Sequence, residues 1–237
     1  MKVVVIIPAH NEAASLPTVV ADLRQRHPDH RILVVDDGST DDTPTVLKHL
    51  PVEWLRLGSV VGVGGAMRAG FRYAVAEAFD TVVRVDGDGQ HNDVSIDALL
   101  APLACGQADV VRGSRYLAES SYRAVGFRRL AQHVVARLLS AVTGERVTDP
   151  TSGFWAFGPR AVRLLAHHHP TSYPEPELLL LLHKNRLKTI EVAVQMRERL
   201  AGRTSLTAAR TTLAMARVLL VLLVVPFRPA IEGSSHE

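Results

Sequence analysis

The sequence predicts an α/β domain built around a mainly parallel β-sheet. Short runs that are almost continuous in Val, Ile and Leu recur along the chain, which is typical of parallel strands covered on both faces. Stretches with apolar residues at helical spacing separate these runs. In addition, 47% of the 237 residues are hydrophobic, which suffices for a core and excludes a disordered chain.

Strands and helices alternate in order along the chain. The predicted strands are Val3–Pro8, Arg31–Asp36, Glu53–Leu57, Thr81–Val85, Asp109–Arg112, Phe154–Phe157 and Thr189–Gln195. The helices predicted between the first five strands are Ala13–His27, Thr43–Leu50, Gly65–Ala78 and Val94–Ala104. Beyond residue 112 the alternation is looser, and the predicted helices are Phe127–Thr143, Glu177–Asn185 and Leu206–Val225.

The last predicted helix, Leu206–Val225, is amphipathic. Arg210 and Arg217 interrupt its apolar residues, so its longest uninterrupted apolar stretch is too short to cross a hydrocarbon layer of ~30 Å. We expect a helix that lies on a membrane surface, or one that packs on the core or in a homodimer contact. The chain therefore divides into a domain of residues 1–205 and a C-terminal helix and tail of residues 206–237.

The net charge of +3 conceals an asymmetry between the two halves. Residues 1–111 carry 9 Lys and Arg against 15 Asp and Glu, whereas residues 112–237 carry 18 against 9. Either the surface composition drifts along the chain, or the two halves have different electrostatic roles. No nucleic-acid partner is expected.

Cysteine content and the N-terminal residues indicate the compartment. A single cysteine, Cys105, excludes a disulfide framework and a cysteine-based zinc site, and we expect it to be buried. The first apolar run is too short for the core of a signal peptide. We therefore expect an intracellular protein.

Polar residues follow the first two strands, where open parallel sheets bind ligands. The turn Pro8–Glu12 follows the first strand, and the adjacent carboxylates of Asp36 and Asp37 follow the second. Two such carboxylates are suited to hydrogen bonds with base or ribose hydroxyls, although an ordinary acidic turn is an equal alternative. Gly38 and Ser39 permit a tight turn and a helix N-cap.

A glycine-rich loop precedes the third predicted helix. It contains Gly62, Gly64 and Gly65, and Arg68 follows in the helix. A loop of this kind at a helix N-terminus can hold a phosphate group. As a dinucleotide fingerprint it is weak, because it does not follow the first strand.

The clearest local pattern is Asp86-Gly87-Asp88-Gly89-Gln90, directly after a buried strand. Alternate residues of an extended segment point the same way, so Asp86, Asp88 and Gln90 can converge on one cation. Mg²⁺ or Mn²⁺ prefers such oxygen ligands and bridges to a pyrophosphate. An acidic turn is the alternative, but it does not account for the position after a buried strand.

Several ordered motifs together resemble the family 2 inverting glycosyltransferases, in the branch of the polyprenyl- and dolichyl-phosphate mannose or glucose synthases. The resemblance covers roughly residues 2 to 206. The motifs are Ile7–Glu12, Val35–Asp41, Asp86–Asp88, Gly113–Tyr116, Asp149–Phe154, Tyr173–Glu177 and Met196–Ser205.

This resemblance implies a GT-A fold, a nucleotide-sugar donor and a divalent metal held by the triplet described above. It also implies site residues. Those expected to hold the nucleoside are Pro8, Asn11, Glu12 and Asp37. Arg115 and Arg199 are expected to face phosphates of the donor or the acceptor, and Asp149, Ser152 and Gly153 to shape the sugar and acceptor side.

The acceptor decides which chemistry is needed. A polyprenyl phosphate is already anionic at neutral pH and can attack the anomeric carbon without a strong base. A sugar or natural-product hydroxyl needs a carboxylate base, for which Glu175 or Glu177 is the candidate. A catalytically silent nucleotide-sugar-binding partner is a third alternative. A lipid acceptor implies a peripheral protein on the inner face of the membrane.

Overall fold

The computed structural model describes residues 1–91, 95–117, 127–171 and 174–195, with the backbone alone for residues 127–131 and 174. Within them a seven-stranded sheet has the order β3-β2-β1-β4-β6-β5-β7. The strands are β1 Val3–Ala9, β2 Arg31–Asp36, β3 Glu53–Arg56, β4 Thr81–Arg84, β5 Val110–Ser114, β6 Trp155–Phe157 and β7 Thr189–Ala193. The helices are α1 Leu16–Arg26, α2 Thr43–Leu47, α3 Val63–Ala76, α4 Ile96–Ala104, α5 Phe127–Thr143, α6 Pro159–His168 and α7 Pro174–Lys184.

All sheet pairs are parallel except those of β6, which runs antiparallel to both β4 and β5. The prediction of a mainly parallel sheet flanked by helices is confirmed. The reversal of β6 has a consequence for the edge where the parallel strands end. Because β6 starts at that edge, the turn Asp149–Phe154 that precedes it lies beside the carboxyl ends of β4 and β5.

The sheet is buried between two apolar layers because successive side chains of a strand point to opposite faces. On β1, Val4 and Ile6 pack into one core cluster, and Val5 and Ile7 pack into the other. The first cluster joins the sheet to α3, α5, α6 and α7, and the second joins it to α1 and α4. The continuous apolar strands of the sequence thus reflect burial on both sides.

Several sequence-based expectations differ from the structure. Helix α6, Pro159–His168, was not predicted, although Pro159 at its first turn and Val162 and Leu165 at helical spacing are helix signals. Cys105 is exposed rather than buried, because it ends α4 just before the turn at Gly106. Helix α7 begins at Pro174, three residues before the predicted start.

The predicted C-terminal helix at 206–225 lies outside the described residues, so the division at residue 205 stays a prediction. Among the residues that the structure describes, no helix has both the length and the apolar character needed to cross a membrane.

A buried ion pair joins β5 to β7. Arg112 and Glu191 are opposite each other in the register of the two strands and form a salt bridge. Glu191 also accepts hydrogen bonds from the backbone N–H of Thr148, at 3.0 Å, and from its hydroxyl, at 2.7 Å. Arg112 lies over the ring of Trp155, with 5.3 Å from Cζ to the ring centroid. The pair therefore ties the edge of the sheet to the loop before β6.

We expect Glu191→Ala to lower the free energy of unfolding by about 3–5 kcal/mol, because it leaves the Arg112 charge buried without its partner. The control is Arg160→Ala, which removes a pair with Asp109 in which the arginine side chain is 57% exposed. That change is expected to cost about 1 kcal/mol or less. Urea denaturation measures both, and equal losses would contradict the assignment.

His169, at the end of α6, gives the fold a pH dependence. Burial, reinforced by the positive charge of Arg84, lowers the pKa of His169 to about 4. In the unfolded chain the imidazole titrates near ~6.5, so acid favours the unfolded state. The stabilisation is complete above the unfolded pKa and is lost as the pH falls to about 4.

Between pH 7 and pH 4 the native chain is therefore expected to lose about 3 kcal/mol more stability than a His169→Gln variant. Urea denaturation at a series of pH values measures this difference. Parallel pH profiles for the two proteins would show that His169 is not the responsible group.

Candidate active site

The polar residues singled out from the sequence meet at one edge of the sheet. The carboxyl ends of β1, β2, β4 and β5 lie there, together with the start of β6. Pro8 lies within β1, opposite Val35 of β2. This arrangement places the motifs after β1, β2 and β4 on neighbouring strands, which is the position where ligands bind in open α/β sheets.

Asn11 connects the loop after β1 to the loop after β2. Its backbone N–H donates to Ser39 Oγ at 2.9 Å, and its Oδ1 accepts from the backbone N–H of Thr40 at 2.8 Å. The φ of Asn11 is +58°, in the left-handed region that asparagine tolerates better than most residues. Glu12 continues the connection, with its backbone N–H donating to Thr43 Oγ1 at 2.9 Å. The two loops therefore form one unit.

The two adjacent carboxylates at the end of β2 hold loops in place. Asp36 is fully buried and accepts a hydrogen bond from the backbone N–H of Ser39 at 2.9 Å. Asp37 accepts from the backbone N–H groups of Val61, at 2.7 Å, and Gly62, at 2.8 Å. Gly38 follows Asp37 and has a φ of +65°, in the left-handed region that favours glycine. Asp37 thus fixes the glycine-rich loop next to the end of β2.

Close packing explains the glycines at the start of α3. Gly62 precedes the helix with a φ of +83°, which favours glycine. A Cβ on Gly64 would lie 2.1 Å from the carbonyl oxygen of Pro170, so only glycine admits that segment. Arg68, half-buried one turn further along, lines a cavity of about 650 Å³ together with Leu57 and other residues.

Asp86 is held by two buried side chains, by Arg84 at its carboxylate and by His91 at its backbone N–H. Arg84 Nε donates to Asp86 Oδ1 at 3.1 Å, and Arg84 Nη1 donates to Glu175 Oε1 at 3.0 Å. Burial alone would lower the pKa of Arg84, but the charges of Asp86 and Glu175 outweigh it and raise that pKa. The guanidinium therefore stays charged and orients both carboxylates.

His91 contacts the same aspartate from the other side. Its Nδ1 accepts the backbone N–H of Asp86 at 2.9 Å, and its Nε2 lies 3.6 Å from Asp86 Oδ2. Burial lowers the pKa of His91, so the ring is neutral near pH 7 and carries its proton on Nε2. The ring stacks on Phe154, with centroids 4.6 Å apart. Sequence reasoning missed both His91 and Arg84.

The predicted metal triplet has the donor types that a divalent cation takes, and its role as a metal site stays a prediction. Asp86 is partly exposed, and Asp88 is nearly buried and accepts the backbone N–H of Gln90 at 3.0 Å. No group of three or more His, Cys, Asp or Glu side chains in the described part of the chain has the geometry of a metal site. Mg²⁺ often takes only one or two carboxylates and completes its shell with phosphate and water. Two carboxylates with an amide suit that type of site.

Gly153 provides the space beside Asp86. A Cβ at this position would lie 2.6 Å from Asp86 Oδ2 and 2.8 Å from Arg84 Nη2. The reversed strand β6 thus brings its preceding turn against the carboxylate that follows β4. Ser152, fully buried, fixes the turn because its carbonyl oxygen accepts Trp155 Nε1–H at 2.6 Å.

Arg115, at the end of β5, pairs with Asp149 in a bidentate arrangement. Arg115 Nε and Nη2 donate to the two carboxylate oxygens at 2.6 and 2.7 Å, and Nη2 also donates to Thr151 Oγ1 at 2.8 Å. Gln132 of α5 donates to the same Thr151 hydroxyl at 3.0 Å. The expected contact of Arg115 with a phosphate stays a prediction, and the structure shows that Asp149 orients it.

The remaining predicted residues are on the second half of the chain. Glu175 and Glu177 lie half-buried on α7, and Glu175 is the partner of Arg84 described above. Arg199 lies outside the described residues. Arg84 lies within the apolar strand β4, two residues before Asp86. A charged residue in such a strand was the sequence signal for the ion pair that the prediction missed.

Comparison with known proteins identifies relatives of the chain. Residues 4–164 match the family described as glycosyl transferase family 2. The polyprenol monophosphomannose synthase of Mycolicibacterium smegmatis is 33% identical over 163 residues, which are 66% of this chain and 61% of that protein. The undecaprenyl-phosphate mannosyltransferase of Micrococcus luteus is 32% identical over 178 residues, 70% of each chain. The chain thus spans less than two thirds of the first of these relatives.

A solved structure shares the fold. The glucosyl-3-phosphoglycerate synthase of Mycobacterium tuberculosis, in complex with Mn²⁺, UDP-glucose and phosphoglyceric acid, superimposes with a TM-score of 0.71 at 24% identity. The alignment covers 96% of this chain and 80% of that one. This likeness confirms the predicted GT-A architecture.

We expect Gly153→Ala to weaken Mn²⁺ binding in the presence of a nucleoside diphosphate by about tenfold or more, because the added methyl displaces the Asp86 carboxylate. Gly58→Ala is the matched control, since a Cβ there meets no atom within 4 Å. The free-ion EPR signal of Mn²⁺ measures both affinities. Unchanged binding by Gly153→Ala would exclude a role for Asp86 as a ligand.

Proposed function

The chain belongs to glycosyl transferase family 2, and we propose that it transfers a hexose from a nucleoside diphosphate sugar to a polyprenyl phosphate. The names of the mycobacterial and Micrococcus relatives describe sugar transfer onto polyprenol or undecaprenyl phosphate. The proposed reaction inverts the anomeric carbon, as the phosphate oxygen forms the new bond while the nucleoside diphosphate leaves from the opposite side.

The observation that carries this proposal is that two acidic strand ends lie on one edge of the sheet, and that one of them holds a glycine-rich loop. Asp37 holds that loop, and Asp86 and Asp88 follow the strand two places away in the sheet. A diphosphate near so many carboxylates is repelled unless a divalent cation binds with it. When bound, Mg²⁺ or Mn²⁺ neutralises charge on the departing diphosphate.

The protein's own groups supply orientation. Arg84 holds the Asp86 carboxylate, and His91 accepts the backbone N–H of the same residue, so that a ligand meets the carboxylate in one geometry. The unit formed by the loops after β1 and β2 supports a nucleoside through Asn11, Glu12 and Asp37. Positioning of this kind lowers the barrier because little reorganisation is needed during the reaction.

A phosphate acceptor fits the state of Glu175 better than a hydroxyl acceptor. A lipid phosphate needs no proton acceptor, because its oxygen is already anionic. A hydroxyl needs a free carboxylate base, but Glu175 is committed to Arg84 at 3.0 Å. Arg115 at the end of β5 is oriented by Asp149 and is the arginine that we propose to face the acceptor phosphate.

Location follows from this choice of acceptor. Polyprenyl phosphate is a membrane lipid, so we propose that the enzyme works at the membrane surface on the cytoplasmic side, where its nucleotide-sugar donor is soluble. A homodimer stays a prediction.

The experiment incubates the protein with Mn²⁺, undecaprenyl phosphate and labelled GDP-mannose, UDP-glucose or UDP-N-acetylglucosamine. We expect one of these three donors to give labelled product that is extracted into the organic phase. Asp88→Asn is expected to lower the rate about 100-fold or more, because it removes charge from the metal and diphosphate side. Asp97→Asn is the matched control, since that side chain is 81% exposed at the start of α4.

Three results would contradict the proposal. Full activity of Asp88→Asn at saturating Mn²⁺ would exclude the proposed metal site. Product formed only with a water-soluble hydroxyl acceptor would assign the alternative acceptor class. Nucleotide-sugar binding with neither transfer nor hydrolysis would identify a silent binding partner.

A further inference from the structure

Helix α5 is apolar on the side that faces away from the core. Its inward residues Val135 and Leu139 are buried against the sheet and α7. On the opposite side Val134, Leu138 and Val142, spaced by four residues, are exposed to 42%, 37% and 39%. A surface helix normally presents polar residues to water, so an aliphatic stripe of this kind indicates a binding surface.

Basic side chains border this stripe. A groove of about 530 Å³ runs along one side of α5. His133, Arg137 and Arg146 line it, with Tyr116 and Thr148 at one end. Neither Arg137 nor Arg146 forms an ion pair with any residue in the described part of the chain.

The groove lies beside the proposed acceptor side. Thr148 and Tyr116 are the sequence neighbours of Asp149 and Arg115, which pair at the end of β5. On the inward side of α5, Gln132 bonds to Tyr116 and Thr151. Gln132 on the inner side of α5 thus reaches the site, while Val134, Leu138 and Val142 on its outer side are exposed.

We propose that the outer face of α5 docks on an anionic lipid surface, with the aliphatic stripe in the headgroup boundary and Arg137 and Arg146 against lipid phosphates. Such a surface combines apolar burial with electrostatic attraction. The docking deepens the proposed function, because it brings the acceptor side to the lipid that carries the acceptor. Binding to vesicles nevertheless does not require any transfer activity.

Charge favours lipid over the other occupants of this face. Residues 196–237 of the chain contain a long apolar stretch, but they carry six arginines against three glutamates. That segment has a net positive charge, so it offers Arg137 and Arg146 no electrostatic attraction. A second copy of this face carries the same two arginines and offers them no opposite charge either. An anionic bilayer instead offers negative charge both to Arg137 and Arg146 and to the arginines of residues 196–237.

Vesicle flotation of the full-length chain tests the docking directly. Vesicles consist of phosphatidylcholine alone or of an equimolar mixture with phosphatidylglycerol, without donor or acceptor. We expect binding to the mixed vesicles, weakened about tenfold by Leu138→Asp and by Arg137→Glu. Val75→Asp is the matched control, because Val75 on α3 is exposed to the same 42% as Val134. Equal binding by the wild type and both α5 variants would overturn the proposal.

A reporter on the helix tests which occupant covers it. Cys105→Ser removes the single cysteine, and Leu138→Cys then takes a bimane label. We expect a polar environment in buffer and a shift to an apolar one when the mixed vesicles are added. An apolar environment already in buffer, unaltered by vesicles, would assign the face to the chain's own C-terminal segment or to a second copy.

The two proposals fail separately. With a short-chain, water-soluble prenyl phosphate as acceptor, Leu138→Asp is expected to keep the wild-type rate, and its melting temperature checks that it is folded. Loss of vesicle binding with that rate intact supports docking. Vesicle binding without transfer to any prenyl phosphate would support docking and refute the proposed function.

Discussion

Buried charge is the constraint on which this site depends. Each of three buried arginines near the ends of β4 and β5 is matched by carboxylate partners. The pairs are Arg84 with Asp86 and Glu175, Arg112 with Glu191, and Arg115 with Asp149. Removing an ion from water costs several kcal/mol, and pairing repays that cost only with good geometry. Apolar side chains of similar volume stabilise a fold as well, so these pairs are better explained by the positions that they impose.

A chain of hydrogen bonds connects these pairs, from strand β7 at the edge of the sheet to helix α5. Glu191 of β7 holds the loop at Thr148, and the next residue, Asp149, orients Arg115 at the end of β5. Thr151 accepts hydrogen bonds from both Arg115 and Gln132 of α5. Strand β7 is therefore linked to α5 through the loop before β6. A change at Glu191 is expected to act on the site through Thr148 and Asp149, whose backbone N–H groups donate to it.

Strand positions and the clustering of the acidic motifs could be predicted from the sequence, because runs such as Val3–Ala9 are apolar on both faces and parallel strands end at a common edge. The direction of β6 could not, since Trp155–Phe157 is fully buried and reads the same either way. That direction brings Gly153 against Asp86. The partners of Asp86 were also hidden, because the pairing of Arg84 and His91 with it depends on side-chain positions that no motif records.

The charge asymmetry of the sequence does not simply reflect an acidic half that binds the donor and a basic half that binds the acceptor. Several acidic groups of the first half serve the loops themselves, as Asp37 does with the glycine-rich loop. In the second half, Arg112 and Arg115 are neutralised by carboxylates of that same half. The excess positive charge therefore resides elsewhere, and it includes Arg137 on the outside of α5 and Arg146 in the segment after that helix. The arginines inside the site are already paired with carboxylates. Attraction to an anionic surface therefore comes from the exposed arginines next to the site.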